Sequence, residues 1–311
     1  MEDDLSRTAV LIGGSGYLGG GIGRTLAAQG FAVVPVGRAE FDILARPVAK
    51  LTELLAGADL VVNAAGAWWQ VGDQEMVAAN VVLVQRLVDA IDALVRQVPL
   101  VHIGSAYEYG VAQVDGSHSV DESTPPQPES AYGRAKLAAT ECLTRWGGRG
   151  VVLRCSTVVG AGAPRTSLFG SVAHRLADLA ARPATAPVLE LPTLRGTVDV
   201  LDLRDLAAAV LAADRWLSSE RAPGVDIVNI ASGNPVRVDR AVHRLIELSA
   251  LPVRVVTTEG TESSRASTAG APGIRIEKAA RRLGWSPRFD LDDALYALWR
   301  YTSEARSRPA R

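Results

Sequence analysis

Cysteine is scarce in this sequence, and its scarcity limits the kind of protein encoded. Cys142 and Cys155 are the only cysteines among 311 residues. A single pair of thiols cannot supply the disulfide framework of a small secreted domain. The acidic start Met1–Asp4 also lacks the positively charged region of a signal peptide. We therefore interpret both cysteines as buried thiols and expect a cytoplasmic protein.

Excess charge and long apolar runs are missing as well. Lys and Arg total 33 against 34 Asp and Glu, so the formal net charge is −1, and no basic stripe indicates a nucleic-acid partner. No apolar run reaches the length of a membrane span. The four histidines share no metal-ligand spacing, so no metal site is predicted. What these absences leave is a globular chain whose length suggests two lobes.

A glycine-rich turn between an apolar run and a predicted helix is the most informative stretch. The turn comprises Gly13, Gly14, Ser15, Gly16, Tyr17, Leu18 and Gly19. Glycines let a phosphate approach the backbone, and the N-terminus of the following helix attracts its charge. The spacing Gly14-x-Gly16-x-x-Gly19 fits the usual dinucleotide fingerprint, and Gly13-x-x-Gly16-x-x-Gly19 fits a wider one. We predict the wider register, with Gly14 and Ser15 lining the turn, and contact of all seven residues with a dinucleotide.

Predicted strands and helices alternate along the first part of the chain. The strands are Phe31–Val36, Asp59–Asn63 and Pro99–Ile103, and the helices are Val48–Leu55 and Met76–Val95. Such alternation is typical of an α/β fold with a Rossmann-type, doubly wound parallel sheet. Proline fits a central strand poorly, so we expect the second strand to end near Pro35.

The end of that second strand bears on which dinucleotide binds. In dinucleotide folds, an acidic residue there bonds the 2′-hydroxyl of NAD, whereas an arginine accommodates the 2′-phosphate of NADP. Gly37 occupies the acidic position here and Arg38 follows it. We therefore predict NADP, as NADPH, in preference to NAD, with Asp42 in reach of the adenine edge. Both side chains also fit an exposed surface loop.

Small residues follow the next strand and can accommodate a flat cofactor. Asn63 ends the strand, and the turn Ala64-Ala65-Gly66 comes directly after it. Trp68 and Trp69 come next. Paired tryptophans beside a cofactor can stack on an aromatic substrate, but they can equally pack within the core or between lobes. The sequence leaves both interpretations open.

A serine, a tyrosine and a lysine form the candidate catalytic group. Ser105 ends a strand, at the edge where open α/β sheets bind ligands, and Ala106 and Tyr107 follow it toward the substrate. Tyr132 and Lys136 open a later helix and share one of its faces. The ammonium is expected to lower the phenol pKa from its usual value of about 10. Tyr132 would then exchange a proton near neutrality while the Ser105 hydroxyl holds a carbonyl.

With these residues in place, the chain resembles the extended short-chain dehydrogenase/reductases, also called the NAD-dependent epimerase/dehydratase family. The similarity covers nearly the whole length. The matching segments are Gly13 to Gly19, Asn63 to Gly66, Asn80, Ser105 to Gly110, Tyr132 with Lys136, Leu153 to Gly160, Arg195 to Asp202, Val228 to Gly233 and Lys278 to Pro287. The chain departs from the pattern at Thr157, where many members carry Asn, and at Asp199, where the usual residue is His.

The resemblance implies an architecture and further site residues. Residues 1–160, with 197–232 returning to them, would bind the dinucleotide, and residues 161–196 and 233–311 would form a smaller substrate-binding lobe. Asn80 would lie by the cofactor and Thr157 by the substrate. Arg195 would bind the diphosphate of a nucleotide sugar. Two copies would pair through helices, including the one that bears Tyr132, and Pro183–Pro192 would be a loop of the second lobe.

Three classes of function compete on this basis. An NADPH-dependent ketoreductase would reduce a nucleotide-linked 4-keto sugar, or an aromatic polyketide ketone, with Tyr132 as proton donor. A nucleotide-sugar epimerase would retain its cofactor, usually NAD. Dehydration is disfavoured because Ala106 and Tyr107 occupy the positions of the dehydratases' acid pair. A non-enzymatic dinucleotide sensor would tend to lose the Ser-Tyr-Lys triad, which this chain keeps. The sequence therefore favours the ketoreductase.

Overall fold

The computed structural model of the chain describes residues 6–68, 71–110, 119–181, 187–219, 224–258 and 273–307. Its strands, in chain order, are Thr8–Ile12 (β1), Ala32–Val36 (β2), Leu60–Asn63 (β3), Leu100–Ser105 (β4), Ser119–Val120 (β5), Gly150–Cys155 (β6), Thr157–Val159 (β7), Val188–Pro192 (β8), Thr197–Val198 (β9), Val200–Asp202 (β10), Val225–Ile230 (β11), Val236–Arg237 (β12), Arg254–Thr258 (β13) and Gly273–Ile274 (β14). Its helices are Tyr17–Ala28 (α1), Val48–Leu55 (α2), Asp73–Val77 (α3), Leu83–Asp92 (α4), Ala131–Trp146 (α5), Leu168–Ala180 (α6), Leu203–Leu217 (α7), Val238–Leu248 (α8), Glu277–Leu283 (α9) and Leu291–Ser307 (α10).

A parallel six-stranded sheet in the order β11-β6-β4-β3-β1-β2 forms the centre of the molecule. Strands β3, β4 and β6 are buried along their whole length, as expected of apolar strands covered on both faces. The chain order reverses at β1, because β2 lies on one side of it and β3 on the other. Ligands of open α/β sheets bind at such a reversal, beyond the carboxyl ends of the strands.

Helices cover both faces of this sheet. On one face, α1, α7 and α9 pack on the sheet through residues such as Ile22, Leu206 and Leu283. On the other face, α2, α4 and α5 do so through residues such as Leu51, Leu87 and Leu143. The predicted α/β fold with a doubly wound parallel sheet is therefore confirmed.

A separate apolar core lies outside the central sheet. It joins α6, α8 and α10 to the short strands β8 and β9, through residues such as Phe169, Leu189, Val198, Leu245 and Leu298. These elements come mainly from the part of the chain assigned to the substrate-binding lobe. The domain boundaries themselves stay a prediction.

Strand β2 ends at Val36, next to Pro35, as expected, and the proline within it is tolerated because β2 lies at the sheet edge. Two local expectations need correction. The single helix expected from Met76 to Val95 is interrupted by a π-helical turn, Ala78–Val82, between α3 and α4. Residues Val188–Pro192, expected within a loop, form β8, which pairs in parallel with β13.

Candidate active site

The glycine-rich turn links β1 to α1 in close contact with the end of β3. Gly13 has a φ of +78°, and a Cβ there would lie 2.7 Å from the backbone nitrogen of Ala65. A side chain at Gly19 would overlap the carbonyl oxygen of Gly13. Helix α1 begins at Tyr17, and its N-cap residue Gly16 provides no side-chain cap. The first N–H groups of α1 are therefore available to an anion.

Gly14 is confined from another side, because a Cβ there would lie 2.6 Å from the Cβ of Pro35. The two possible glycine registers differ in whether Gly13 or Gly14 leads. Only Gly13 has positive φ among the glycines of this turn. This backbone conformation agrees with the wider register. A glycine is also needed at position 14, because Pro35 lies too close for a side chain there.

The small-residue turn after β3 lies against two polar side chains. A Cβ at Gly66 would lie 2.6 Å from Oδ1 of Asn80 and 3.2 Å from Nζ of Lys136. The Nδ2 group of Asn80 donates to the carbonyl oxygens of Ala67 and Met76, each at 2.9 Å. Its Oδ1 atom is buried and accepts no hydrogen bond from the described residues. Because Asn80 lies in the π-helical turn, that irregularity sets where its amide points.

Asn63, at the end of β3, is fully buried and is part of the protein interior. Its Nδ2 lies 3.0 Å from Nδ1 of His102, and its Oδ1 accepts the backbone N–H of Ala65 at 3.1 Å. Asn63 therefore holds the turn that carries Ala64, Ala65 and Gly66.

Ser105, Tyr132 and Lys136 come together above the carboxyl end of β4. Ser105 is the last residue of β4, and its side chain lies close enough to Tyr132 to lower the pKa of that phenol. Ser130 caps α5 by accepting the N–H of Gly133 at 3.0 Å, which fixes the helical turn that carries Tyr132. The Nζ of Lys136 donates to the carbonyl oxygen of Ile103 at 3.0 Å and lies 6.0 Å from the ring centroid of Tyr132.

Burial governs the ionisation of these groups. It raises the pKa of Tyr132 above its ordinary value, and the contact with Ser105 offsets only part of that rise. Burial also lowers the pKa of Lys136, while the nearby Glu108 carboxylate raises it. The expected lowering of the Tyr132 pKa is therefore wrong, because loss of solvation of the phenolate outweighs the contact with Ser105.

Glu108 and Arg154 form a buried ion pair below the triad that the sequence interpretation missed. The Nε of Arg154 lies 2.7 Å from Oε2 of Glu108, and their side chains are 3% and 0% exposed. The other oxygen of Glu108 accepts the backbone N–H of Ser105 at 3.0 Å. The contact between Glu108 and Ser105 could have been predicted from the sequence, because Ser105-x-x-Glu108 is the pattern of a capping box.

Arg38 follows β2 with its side chain 73% exposed. Its guanidinium lies 3.7 Å from Oδ2 of Asp42 and 3.4 Å from Oε1 of Glu75, so the two predicted residues lie together. Exposed ion pairs of this kind contribute little energy. A bound phosphate could therefore compete with these carboxylates for the arginine.

The predicted substrate residues are spread more widely. The Tyr107 ring packs edge-on against that of Tyr132, with centroids 5.8 Å apart and planes at 73°. Ala106 is buried in a small apolar cluster with neighbouring side chains. Thr157 starts β7 and is partly buried. Arg195 is exposed in the turn before β9.

Trp68, the remaining predicted substrate residue, is 38% exposed shortly after the turn at Gly66. Trp69 lies outside the described residues, so the role of the pair stays open.

A family model now decides the classification. The model for the NAD dependent epimerase/dehydratase family matches residues 9–231, which include the glycine turn, Ser105, Tyr132 and Lys136. The chain belongs to this family. It is an NAD(P)-dependent oxidoreductase of the extended short-chain dehydrogenase/reductase type.

Two curated relatives fit the family assignment. A dTDP-6-deoxy-L-talose 4-dehydrogenase (NAD(P)(+)) of Kitasatospora kifunensis is 39% identical over 319 aligned residues, which cover 96% of each chain. A dTDP-4-dehydrorhamnose reductase of Mycolicibacterium smegmatis is 29% identical over 146 residues, which cover 45% of this chain and 42% of the relative.

Solved structures of other proteins show the same fold. RMD from Pseudomonas aeruginosa, complexed with NADPH, superposes with a TM-score of 0.81 at 22% identity, covering 96% of this chain and 99% of that one. A UDP-glucose-4-epimerase from Stenotrophomonas maltophila, with bound NAD and formylated UDP-arabinopyranose, gives 0.81 at 21% identity, covering 96% and 98%. At these identities the likeness concerns the fold alone.

Asp199, which departs from the family pattern, has a clear position. Its carboxylate is fully buried and accepts hydrogen bonds from the Ser156 hydroxyl at 2.9 Å and from the backbone N–H groups of Ser232 and Gly233 at 2.8 and 2.9 Å. It therefore ties the turn after β6 to the turn after β11.

Within the described ranges, no group of three or more His, Cys, Asp or Glu side chains could hold a metal ion. None of the helices in those ranges combines the length and hydropathy needed to cross a bilayer.

Proposed function

We propose that the chain reduces the C4 ketone of a nucleotide-activated 6-deoxyhexose with NADPH, and oxidises the alcohol in the reverse direction. The observation that carries this proposal is the cluster of Ser105, Tyr132 and Lys136 at the end of β4, beside the glycine turn. The substrate class is supported by the likeness, along nearly the whole chain, to a dTDP-6-deoxy-L-talose 4-dehydrogenase.

The residues present fit a dinucleotide. The glycine turn leaves the first N–H groups of α1 without a side-chain cap, as a pyrophosphate requires. The buried Oδ1 of Asn80 accepts no hydrogen bond from the described residues and lies beside Gly66, where a ligand donor would satisfy it. Contacts to the dinucleotide would come from the turn at Gly13 to Gly19, from Ala64 to Gly66, and from Asn80.

The chain's own side chains account for the proton chemistry. When bound, NADPH supplies the hydride. The hydroxyls of Ser105 and Tyr132 would hold the substrate carbonyl oxygen, and Tyr132 would donate the proton to it. Lys136, anchored on the carbonyl of Ile103, would hold the ribose of the cofactor and would provide positive charge beside Tyr132 as it loses its proton.

NADP is proposed over NAD because of Arg38. Its exposed guanidinium follows β2, where an arginine accommodates a 2′-phosphate. The curated relative of 39% identity carries both cofactors in its name, NAD(P)(+), so the preference of this chain rests on Arg38 and the absence of an acidic side chain at Gly37.

The substrate side of the proposal uses three residues. Arg195 would bind the diphosphate, and Thr157 and Tyr107 would contact the sugar, with the Tyr107 ring against Tyr132. Pairing into a homodimer and a cytoplasmic location stay predictions.

A steady-state assay at 340 nm tests this function. Purified protein is mixed with NADPH and a panel of dTDP-, UDP- and GDP-linked 4-keto-6-deoxyhexoses, and with an aromatic polyketide ketone. We expect NADPH consumption with the nucleotide sugars, and at least about a 100-fold loss in Tyr132→Phe, since the proton donor is removed. Exclusive turnover of the polyketide ketone, or conversion of a nucleotide sugar without net consumption of NADPH, would contradict the proposal.

A further inference from the structure

The buried Glu108–Arg154 pair is not explained by the stability of the fold. Both side chains are almost completely removed from water and lie 2.7 Å apart. Replacing a buried ion pair with apolar residues of similar size is often neutral or stabilising, because desolvation offsets the attraction of the charges. A second reason for this pair must therefore lie in what it holds in place.

Glu108 holds the catalytic serine through a reciprocal set of hydrogen bonds. Its Oε1 accepts the backbone N–H of Ser105 at 3.0 Å, and the Ser105 hydroxyl accepts the N–H of Tyr107 at 3.2 Å. These contacts form a capping box over the 3₁₀ turn Ala106–Tyr109. They fix both the backbone of Ser105 and the position of its Oγ atom.

The sheet is built to admit this carboxylate. Gly104 is the register partner of Arg154 on the adjacent strand β6. A Cβ at Gly104 would lie 2.8 Å from Cγ1 of Val152 and 3.0 Å from Oε1 of Glu108. A glycine next to the catalytic serine therefore leaves the space in which Glu108 turns back under β4 and meets Arg154.

Arg154 also packs against an aromatic ring. Its guanidinium lies 4.8 Å from the ring centroid of Tyr109, and the Tyr109 hydroxyl donates to Oδ1 of Asn229 on β11 at 2.8 Å. The contacts that reach Ser105 thus extend across β4, β6 and β11. An anchor on three strands restrains the serine more than a turn alone would.

We propose that Glu108 is a positioning residue, whose Arg154-anchored carboxylate holds the Ser105 hydroxyl in its productive place against Tyr132. Because Glu108 is fully buried, it acts through Ser105 and does not touch the substrate. The inference rests on the proposed function for its kinetic consequence, but the placement of Ser105 is independent of the substrate.

Two variants separate positioning from stability. Glu108→Leu leaves the Arg154 charge buried without a partner, so it should lower the Tm. The double variant Glu108→Leu/Arg154→Met removes both charges and should recover most of that Tm. We expect kcat for reduction to stay about 100-fold below wild type in both variants, with KM for NADPH within about 2-fold, because a small displacement of a catalytic group suffices for such a loss.

An ion pair at the opposite edge of the sheet from Ser105 provides a control for kcat. Asp214 on α7 is buried and pairs with both terminal nitrogens of Arg7 at 2.7 Å, near the start of β1. Because Arg7 is 43% exposed, its charge stays solvated when its partner is removed, so Asp214→Leu should lower the Tm less than Glu108→Leu does, while kcat stays within about 2-fold of wild type.

Recovery of kcat together with Tm in the double variant would overturn the positioning role, as would a loss of kcat in Asp214→Leu equal to that in Glu108→Leu. Crystal structures of wild type and the double variant give a readout that needs no substrate. We expect the distance between Ser105 Oγ and Tyr132 Oη to be longer in the double variant than in wild type. An unchanged distance in the double variant would equally overturn the role. If wild type reduces no nucleotide sugar, the proposed function fails, and the crystal comparison still decides the role of Glu108.

Discussion

At the scale of single residues, Tyr132, the proposed proton donor, has a pKa set by its surroundings. Burial raises that pKa, and the contact with Ser105 lowers it in part. The hydroxyl therefore holds its proton across the neutral range and is ready to donate it. The same burial makes the deprotonated form, which alcohol oxidation needs, less accessible at neutral pH.

This predicts opposite pH dependences for the two directions. Reduction uses protonated Tyr132, so its kcat should be level through neutral pH and fall only in the alkaline range. Oxidation uses the deprotonated form, so its kcat should rise with pH. Initial rates at 340 nm from about pH 6 to about pH 10 measure both. An oxidation rate that falls as pH increases would be inconsistent with Tyr132 as the base.

The proposed preference for NADP over NAD rests on Arg38. Arg38→Ala should raise KM for NADPH by about 10-fold or more, because a charge-assisted contact with the 2′-phosphate is lost, and leave KM for NADH nearly unchanged. Arg300→Ala, which removes another exposed arginine, paired with Glu304 on α10, is the control. An unaltered ratio of the two KM values in Arg38→Ala would remove the argument for NADP.

At the scale of elements, the N-cap of α5 fixes the helical turn that carries Tyr132, the proposed proton donor. Ser130 accepts the N–H of Gly133 at 3.0 Å, and Ser167 caps α6 in the same way, accepting the N–H of Gly170 at 3.1 Å. The two helices therefore offer a matched comparison, since only α5 carries Tyr132.

Ser130→Ala and Ser167→Ala should each reduce the free energy of unfolding by about 1 kcal/mol, as lost N-caps do. Ser130→Ala should also reduce kcat by about 10-fold, because the first turn of α5 loosens around Tyr132. Chemical denaturation and the 340 nm assay measure these effects. Equal kcat in the two variants would show that the cap does not orient the tyrosine.

The sequence predicted the elements that local pattern controls. Neighbouring residues predict the glycine turn and the alternating strands and helices, and the parallel sheet follows from that alternation. The π-helical turn around Asn80 was missed because its residues have ordinary helical periodicity. The pairing of β8 with β13 was missed because it joins segments far apart in sequence.

The same limit applies to the candidate site. Ser105, Tyr132 and Lys136 were named from spacing and family motifs, and they lie together. Arg154 is 46 positions from Glu108, so nothing local joins them until β4 and β6 pair. The pKa of Tyr132 could not be predicted either, because the loss of solvation depends on packing of the whole site.

At the scale of the whole molecule, the chain passes between two apolar cores. Strand β10 and helix α7 follow β9 toward the central sheet. Leu201 and Leu206 pack in the core of that sheet, and Val198 packs in the separate core with α6, α8 and α10. The likeness to the 4-dehydrogenase covers 96% of the chain and hence both cores. The proposed function therefore concerns both cores and not the dinucleotide-binding part alone.

Transfer of deuterium is the most direct test of the proposed hydride transfer from NADPH to C4 of a nucleotide sugar. The protein is incubated with NADPH deuterated at both C4 positions of the nicotinamide and with a dTDP-4-keto-6-deoxyhexose, and the sugar product is examined by mass spectrometry and NMR. We expect each sugar product to carry one deuterium, located at C4, and one NADPH to be consumed for each product molecule. A product that carries no deuterium, formed without net consumption of NADPH, would contradict the proposed transfer.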